Sequence, residues 1–536
     1  MTAEESVASS NPEKDAKKAA KQAAKDSRKA EKEARKAKAA EAAKRAVIAV
    51  DDYTTAQYGD LKMIQSASRS PREWASVCKQ NASTAGAKIW LRCRLETVRA
   101  TGKRCFLVLR QTPYTIQAVI SEDAETPREM VKYISKIPVE SIVDVLGIVN
   151  KAEAPITSTS QSDVELQIVK LFVISASAPV LAMQIADANR PLADDTDDKS
   201  ASDGMATVGR AVRLDNRWLD LRAVSNHAIF RLQSAVGMYF REYFLGRDFV
   251  EVHTPKLISA ASEGGADVFK LDYFGTPAFL AQSPQLYKQM CINGDLHGVF
   301  EIGPVFRSER SFTHRHMCEF TGLDFEMEIK EHYHEILETL GDLFKFIFDK
   351  LHEKHADELE IVRAQYPFEK LQYPAKPLVL HFEDAIKLLR EAGDTEADEH
   401  TDITTPQEKH LGALVKEKYG TDFYIVDRYP MSARPFYTMP CPDDPRFSNS
   451  YDVFLRGEEI TSGAQRIHDP ELLQRRAEEL NIPVSTIQSY VDSFKSGAFP
   501  HGGAGIGLER VVMLFCGLKN IRLTSLFPRD PMRCTP

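Results

Sequence analysis

Two arginines stand where side chains could act on a phosphate or a carboxylate. Arg307 closes the apolar run Phe300-Glu-Ile-Gly-Pro-Val-Phe306. It is followed by Ser308-Glu309, a polar loop over Arg310–Met317, and Glu319-Phe320-Thr-Gly-Leu-Asp324-Phe-Glu326. A strand–loop–strand of this kind can hold Arg307 as a fixed planar donor. Glu309 could accept from an exocyclic amine and Phe320 could stack on a base. Read alone, R-x-E is common, and a surface ion pair explains it equally well. Arg510 follows Gly502-Gly-Ala-Gly-Ile-Gly507-Leu-Glu509. The glycines allow close backbone approach, and a helix beginning near Leu508 would carry Arg510 in its first turn, suited to a triphosphate tail. No G-x-x-x-x-G-K-[ST] loop occurs, so this is not a P-loop. Two further cations lie in motif-like surroundings: Lys288 in Gln282-Ser-Pro-Gln285-Leu-Tyr-Lys288, and Arg466 in Gly457-Glu-Glu459-Ile-Thr-Ser462-Gly-Ala-Gln-Arg466.

The elements that must position these residues follow from periodicity. From Ala87 to about Ser175 apolar residues alternate: Ile89, Leu91, Cys93 and Leu95 begin the pattern, as in a half-buried strand. Strand-like runs follow at Phe106–Arg110, Thr115–Ser121, Ser141–Val149 and Val164–Ser175, with a helical stretch, Pro127–Ile137, between the third and fourth strands. That ordering is an OB barrel, a common binder of single-stranded nucleic acid. Phe106, Gln117 and Glu165 fall on three of its strands, where ordinary strand residues would look the same. Helices are expected over Ser225–Leu245 and His332–His355 from apolar steps of three and four residues. Phe249-Val-Glu-Val-His-Thr-Pro255 follows the first of them.

At 536 residues, 43% hydrophobic and 27% charged, the chain suits about three soluble folded units. No apolar run reaches the roughly 18 residues of a membrane span, and neither a secretion signal nor a mitochondrial leader is expected. The eight cysteines contain no C-x-x-C pair, which points to reduced cytosolic thiols rather than zinc. His314/His316 and His332/His334 are weak metal signals, and the second pair reads better as a helix start. Between Glu13 and Arg45 thirteen Lys and Arg face six Asp and Glu, on a chain of net charge −8. A basic, Lys/Ala-rich, helical or disordered arm on an acidic body points to a polyanionic partner.

The Pro255 stretch, the Arg307 stretch and the Arg510 stretch, in that order, resemble the three signature motifs of class II aminoacyl-tRNA synthetases. With the barrel ahead of them, they resemble the subgroup that handles aspartate, asparagine and lysine. The resemblance runs from about Ala87 to Pro536. It implies an α+β chain whose catalytic domain is an antiparallel sheet of six to seven strands flanked by helices, with Pro255 at a homodimer interface. It implies that Arg307 holds the α-phosphate and the substrate α-carboxylate, and that Phe320 and Arg510 sandwich adenine. Glu309, Arg315, His316, Met317, Gly507, Leu508 and Glu509 would complete the ATP site, the loop around His314–His316 also meeting the tRNA acceptor end. Glu459 and Ser462 resemble Mg²⁺ ligands, sufficient with phosphate oxygens beside them. No zinc is expected.

Amino-acid choice is a question of charge matching. Aspartate brings a second carboxylate, which needs fixed cations. Lys288 and Arg466 supply them, in stretches similar to those of aspartyl enzymes. A lysine pocket should carry acids there, and an asparagine pocket should lack one cation. Asp324 could meet the substrate ammonium or pin Lys288. Ser262 and Glu263, in Ser262-Glu-Gly-Gly-Ala-Asp267, resemble the family's mobile lid, although many relatives have Ser in place of Ala266 or Asp267. Gln285 and Ser462 join this set. Phe106, Gln117 and Glu165 resemble anticodon readers. The expected activity is ATP-dependent formation of aspartyl-adenylate and transfer to tRNA-Asp in the cytoplasm, without a membrane, the arm touching RNA or a scaffold. The expected boundaries are 1–50 arm, 51–86 linker, 87–178 barrel, 179–224 connector and 225–536 catalytic domain.

Overall fold

A computed structural model describes residues 49–50, 54–66, 69–191, 205–259 and 268–536. The basic arm up to residue 48 and the lid residues Ser262 and Glu263 lie outside the described residues. The chain divides into two compact units, Met1–Ala182 and Met183–Pro536.

The first unit is a closed five-stranded barrel. Its strands are Lys88–Thr101, Arg104–Gln111, Tyr114–Ser121, Ile142–Lys151 and Gln161–Ser175, with the helix Arg128–Ile134 between the third and fourth. The first three strands form antiparallel neighbours, the fifth runs parallel to the third, and the fourth pairs with both fifth and first, closing the ring. Alternation sets the inside: Leu91, Cys93, Leu107, Leu109, Ala118 and Leu166 fill it, while their neighbours point outward. The segment expected as a linker is partly folded onto this barrel. Tyr58–Leu61 is a strand running parallel to the fifth, with Tyr58 opposite Leu171. Val77 is fully buried in the barrel core, and its N–H donates to Gln111 Oε1 at 2.8 Å. Four residues are too few to show a period, so this pairing is set by tertiary contact.

The second unit is built on an eight-stranded sheet. In spatial order its strands are Leu378–His381, Phe423–Asp427, Ser450–Leu455, Glu458–Gln465, His501–Gly507, Glu319–Glu328, Gly298–Phe306 and Val250–Glu251. The six inner strands are antiparallel, and the short outermost two are parallel to their neighbours. The helices Val224–Leu245 and His334–Lys354 pack their apolar stripes, including Leu232, Phe240, Leu340 and Ile347, into one core with Phe300, Phe325 and Ile506. A second core, with Phe382, Leu411 and Tyr424, seats the helices Phe382–Glu391 and Thr405–Tyr419 on the far edge of the sheet.

The expected connector also contains folded structure. Arg210–Asp215 and Arg217–Asp220 are short helices in which Arg213 and Arg217 both pair with buried Asp220. Arg217 donates on to the carbonyls of Ser525 and Leu526, at 2.7 and 2.9 Å. Two polar helical turns gave no apolar stripe to read in the sequence. Among the described residues no helix is long and apolar enough to cross a membrane.

Candidate active site

A cavity of about 330 Å³ opens over the middle of the large sheet. At one end the strands Gly298–Phe306 and Glu319–Glu328 run antiparallel with Phe306 opposite Glu319. The loop between them therefore leaves and returns at neighbouring points. The Arg307 backbone N–H donates to Cys318 O at 2.9 Å, fixing the loop's base. The Arg307 guanidinium lies 5.6 Å from the Phe320 ring and 3.8 Å from Glu309. Arg510, in the first turn of the helix Leu508–Phe515, donates to the carbonyls of Glu459 and Arg315, at 3.0 and 3.3 Å. Arg307, Phe320 and Arg510 all line this one cavity, with Glu309, His316 and Gly507.

Cations crowd this end. Burial, then the charges of Arg510, Arg315 and Arg307, push the His316 pKa down to about 4, so its ring is neutral at physiological pH. Its Nδ1 pairs with Thr313 Oγ1 at 2.6 Å. Burial, then Arg315 and Arg307, also lowers the Arg510 pKa against the opposing pull of Glu459. Arg315 itself is committed: its guanidinium grips Glu408 at 2.6 and 3.0 Å and Thr405 Oγ1 at 2.8 Å. Of the residues expected around ATP, Met317 lines the cavity from the core side. The Leu508 side chain is in the core and outside the cavity lining.

At the other end the two expected specificity cations converge on acids. The Lys288 ammonium is fully buried and lies 3.0 Å from Asp324 Oδ1 and 3.6 Å from Glu326 Oε2. Arg466 donates from Nε to Glu326 Oε1 at 2.9 Å, and from Nη2 to Gln285 Oε1 at 3.1 Å and Gly503 O at 2.9 Å. Among the described residues its Nη1 has no hydrogen-bond partner, and Arg466 lines the cavity. Burial works against the charge of Arg466, but Glu326 outweighs it and holds the pKa above the usual arginine range. Burial would likewise raise Glu326, yet Arg466 and Lys288 keep it below the usual carboxylate range. Lys288 does not line the cavity; Asp324, which does, stands between it and the opening.

The strand Glu458–Gln465 brings Glu459 and Ser462 to the same cavity. Three residues apart, they should face opposite sides of a regular strand. A β-bulge changes the count: Thr461 pairs with Val453, but Glu459 pairs with Phe454, leaving Ile460 without a partner in the ladder. Ile460 goes to the core, and Glu459 is turned into the cleft. Burial, then the charge of Asp452, raises the Glu459 pKa. Arg434, from the loop after the 3₁₀ turn Met431–Ala433, donates to Ser462 Oγ and Asp452 Oδ2, both at 2.8 Å.

The family of class II tRNA synthetases (D, K and N) matches residues 209–531, the unit that contains this cleft. The chain belongs to the class II tRNA synthetases. A cytoplasmic aspartate–tRNA ligase of Mus musculus is 51% identical over 499 residues, which cover 93% of this chain and 98% of that one. An aspartyl-tRNA synthetase structure from Entamoeba histolytica aligns with a TM-score of 0.83 at 44% identity, covering 92% of this chain and 98% of that one. An asparaginyl-tRNA synthetase from Pyrococcus horikoshii, complexed with asparaginyl-adenylate, aligns with a TM-score of 0.74 at 28% identity, covering 87% and 100%.

The remaining site residues of this class II synthetase are not among those lining the cleft. Phe106, Gln117 and Glu165 sit half-buried on the outer face of three adjacent barrel strands. Gln117 is the ladder partner of Glu165 and donates to its Oε2 at 3.0 Å, while the Arg99 guanidinium lies 5.9 Å from the Phe106 ring. Pro255 is exposed; just beside it, Thr254 and Lys256 both reach buried Glu301 of the neighbouring strand, at 2.7 and 2.6 Å. Sequence reasoning did not single out Glu326, Glu408, Asp452 or Arg434. Glu326 carried a signal, since it stands two residues after Asp324 and so on the same strand face. The other three come from distant segments, and only the fold brings them in.

Proposed function

We propose that this class II synthetase is a cytoplasmic aspartate–tRNA ligase. It activates L-aspartate with ATP to aspartyl-adenylate and pyrophosphate, then transfers aspartate to the 3′ end of tRNA-Asp. The observation that carries this reading is the placing of Arg466 at one end of a cleft whose other end holds Arg307, Phe320 and Arg510. Among the described residues Arg466 Nη1 meets no acceptor, while Glu326, Gln285 and Gly503 fix the rest of the guanidinium. That end can then take the substrate's second carboxylate, with Lys288 beneath adding positive potential.

In the first step an α-carboxylate oxygen of aspartate attacks the α-phosphorus of ATP, and the P–O bond to pyrophosphate breaks. Arg307 would hold the α-phosphate and α-carboxylate together, which supplies proximity. Phe320 and Arg510 would sandwich adenine, with Glu309 accepting from its amine, and Arg510 would neutralise charge toward the triphosphate tail. In the second step the terminal ribose 3′-OH of tRNA attacks the acyl carbon of the adenylate, and AMP leaves. Neither step needs a covalent enzyme intermediate, and no side chain is assigned as general base.

Mg²⁺ arriving with ATP would neutralise phosphate charge. Glu459 and Ser462 would hold it, and the donor set fits a hard cation: the buried Asp452 Oδ1 nearby has no hydrogen-bond partner among the described residues. Among the described residues no group of three or more His, Cys, Asp or Glu is arranged to hold a metal ion, so phosphates and water would supply most ligands. The barrel would read the anticodon through Phe106, Gln117 and Glu165, and Pro255 would lie at a homodimer interface.

One observation favours asparagine instead: Lys288 and Arg466 are each paired with an acid, leaving the set formally neutral. ATP–pyrophosphate exchange with aspartate, asparagine and lysine decides this. Exchange should depend on aspartate, with asparagine at least ~100-fold poorer, the cost of leaving a charged donor at Arg466 without its partner. Exchange that requires asparagine or lysine would refute the assignment.

A further inference from the structure

We propose that Arg434 is a stand-in cation: it holds the metal seat of this cleft while no metal is present, and gives it up when metal and nucleotide arrive together. The proposal rests on the reading of Glu459 and Ser462 as metal ligands given above.

The seat is defined by three neighbouring oxygen donors. Asp452 and Ser462 are direct partners across two antiparallel strands, so their side chains rise side by side. The bulge turns Glu459 into the same cavity. Arg434 spans the first two, with Nη1 on Ser462 Oγ and Nη2 on Asp452 Oδ2, each at 2.8 Å. Its guanidinium lies 4.0 Å from the Tyr429 ring centroid, and its side chain and that of Asp452 are each 8% exposed.

The pair is incomplete. A bidentate bridge would join two guanidinium nitrogens to both carboxylate oxygens. Among the described residues Asp452 Oδ1 and Arg434 Nε are both buried without a hydrogen-bond partner, so each half keeps bonding capacity that a permanent bridge would use. An arginine cannot lose its charge, and burying the acids unpaired would be costly. Arg434 therefore supplies the compensation when the cleft is empty. A divalent cation needs the same oxygens, so arginine and metal compete. The triphosphate offers the displaced guanidinium new acceptors and the metal new ligands, which ties metal binding to nucleotide binding.

The test is Mn²⁺ binding to the full chain, followed by electron paramagnetic resonance, with and without ATP. Without ATP, R434Q should bind Mn²⁺ roughly tenfold tighter or more than the unaltered protein, as one nearby positive charge has been removed. R434K, which keeps the charge, should stay close to the unaltered protein. The melting temperature of R434Q should fall in EDTA and recover in Mg²⁺, while that of the unaltered protein responds little. Unchanged or weaker Mn²⁺ affinity in R434Q overturns the proposal, including the case where R434Q instead weakens ATP alone. E459Q separates the two readings. If E459Q weakens Mn²⁺ binding with ATP and R434Q leaves it unchanged without ATP, the metal seat stands and the stand-in falls. If E459Q has no effect with ATP, the seat and the stand-in fall together.

Discussion

Glu509 occupies the first turn of the helix Leu508–Phe515, where the helix dipole favours a negative charge. Its carboxylate also accepts from the Thr321 backbone N–H, at 3.2 and 3.0 Å. Burial nevertheless outweighs both and pushes its pKa up to about 7. The sign of the linkage follows. With the folded pKa above the ordinary glutamate value of 4.5, its contribution to stability is complete below about pH 4.5. It is lost as pH rises toward 7, because the unfolded chain then ionises more readily. Glu509→Gln keeps the acceptor for Thr321 but removes the charge. The melting temperatures of the two proteins should nearly coincide at pH 5, with the variant gaining on the order of 2 kcal/mol by pH 8. A constant offset across that range would refute the argument. At this scale the sequence was informative where a residue type had one strong use. Arg307, Phe320, Arg466 and Arg510 were readable as donors or stacking groups, and all four line one cavity. Lys288 was legible as a cation but not as one buried behind Asp324, because burial is a property of the surrounding strands.

The glycine-rich strand His501–Gly507 shows why elements carry information that residues alone do not. Its glycines suggested a backbone approach to a ligand. In the sheet, Gly503 lies opposite Glu326 and Gly505 opposite Asp324, so the missing side chains make room for these two acids. A Cβ at Gly503 would come within 2.0 Å of Phe325 O and 2.6 Å of Glu326 Oε2. Gly503→Ala should therefore push the strands apart and displace the Glu326 support under Arg466. The expected cost is roughly 2 kcal/mol or more in urea unfolding, with a raised KM for aspartate and little change for ATP. Equal losses for both substrates would show that the whole cleft had moved instead. Long elements with a clear period, such as Val224–Leu245 and the five barrel strands, were readable. The bulge at Ile460 was not, since a strand with one extra residue looks regular until its partner's register is known.

At the scale of the whole molecule, the two units divide the labour proposed here. The five-strand order of the barrel could be read because each strand is long enough to alternate. Its true beginning could not, since Tyr58–Leu61 and Val77 join it only through tertiary contacts. If the barrel reads the anticodon and the large sheet makes the adenylate, a change on the barrel's outer face should spare the first step. Phe106 and Gln117 are half-buried on that face and absent from the barrel core, so replacing them should cost little stability. Removing a stacking ring is worth about 1–3 kcal/mol per base. F106A combined with Q117A should therefore lower kcat/KM for tRNA charging by roughly 10- to 1000-fold. Aspartate-dependent pyrophosphate exchange, measured without tRNA on the same preparation, should stay within about twofold, since neither Phe106 nor Gln117 is among the residues lining the cleft. A parallel fall in both activities would mean that the barrel supports the cleft's structure. Unchanged charging would instead move anticodon recognition to another face of the barrel, because the ring and amide that stacking and base pairing would use are both gone.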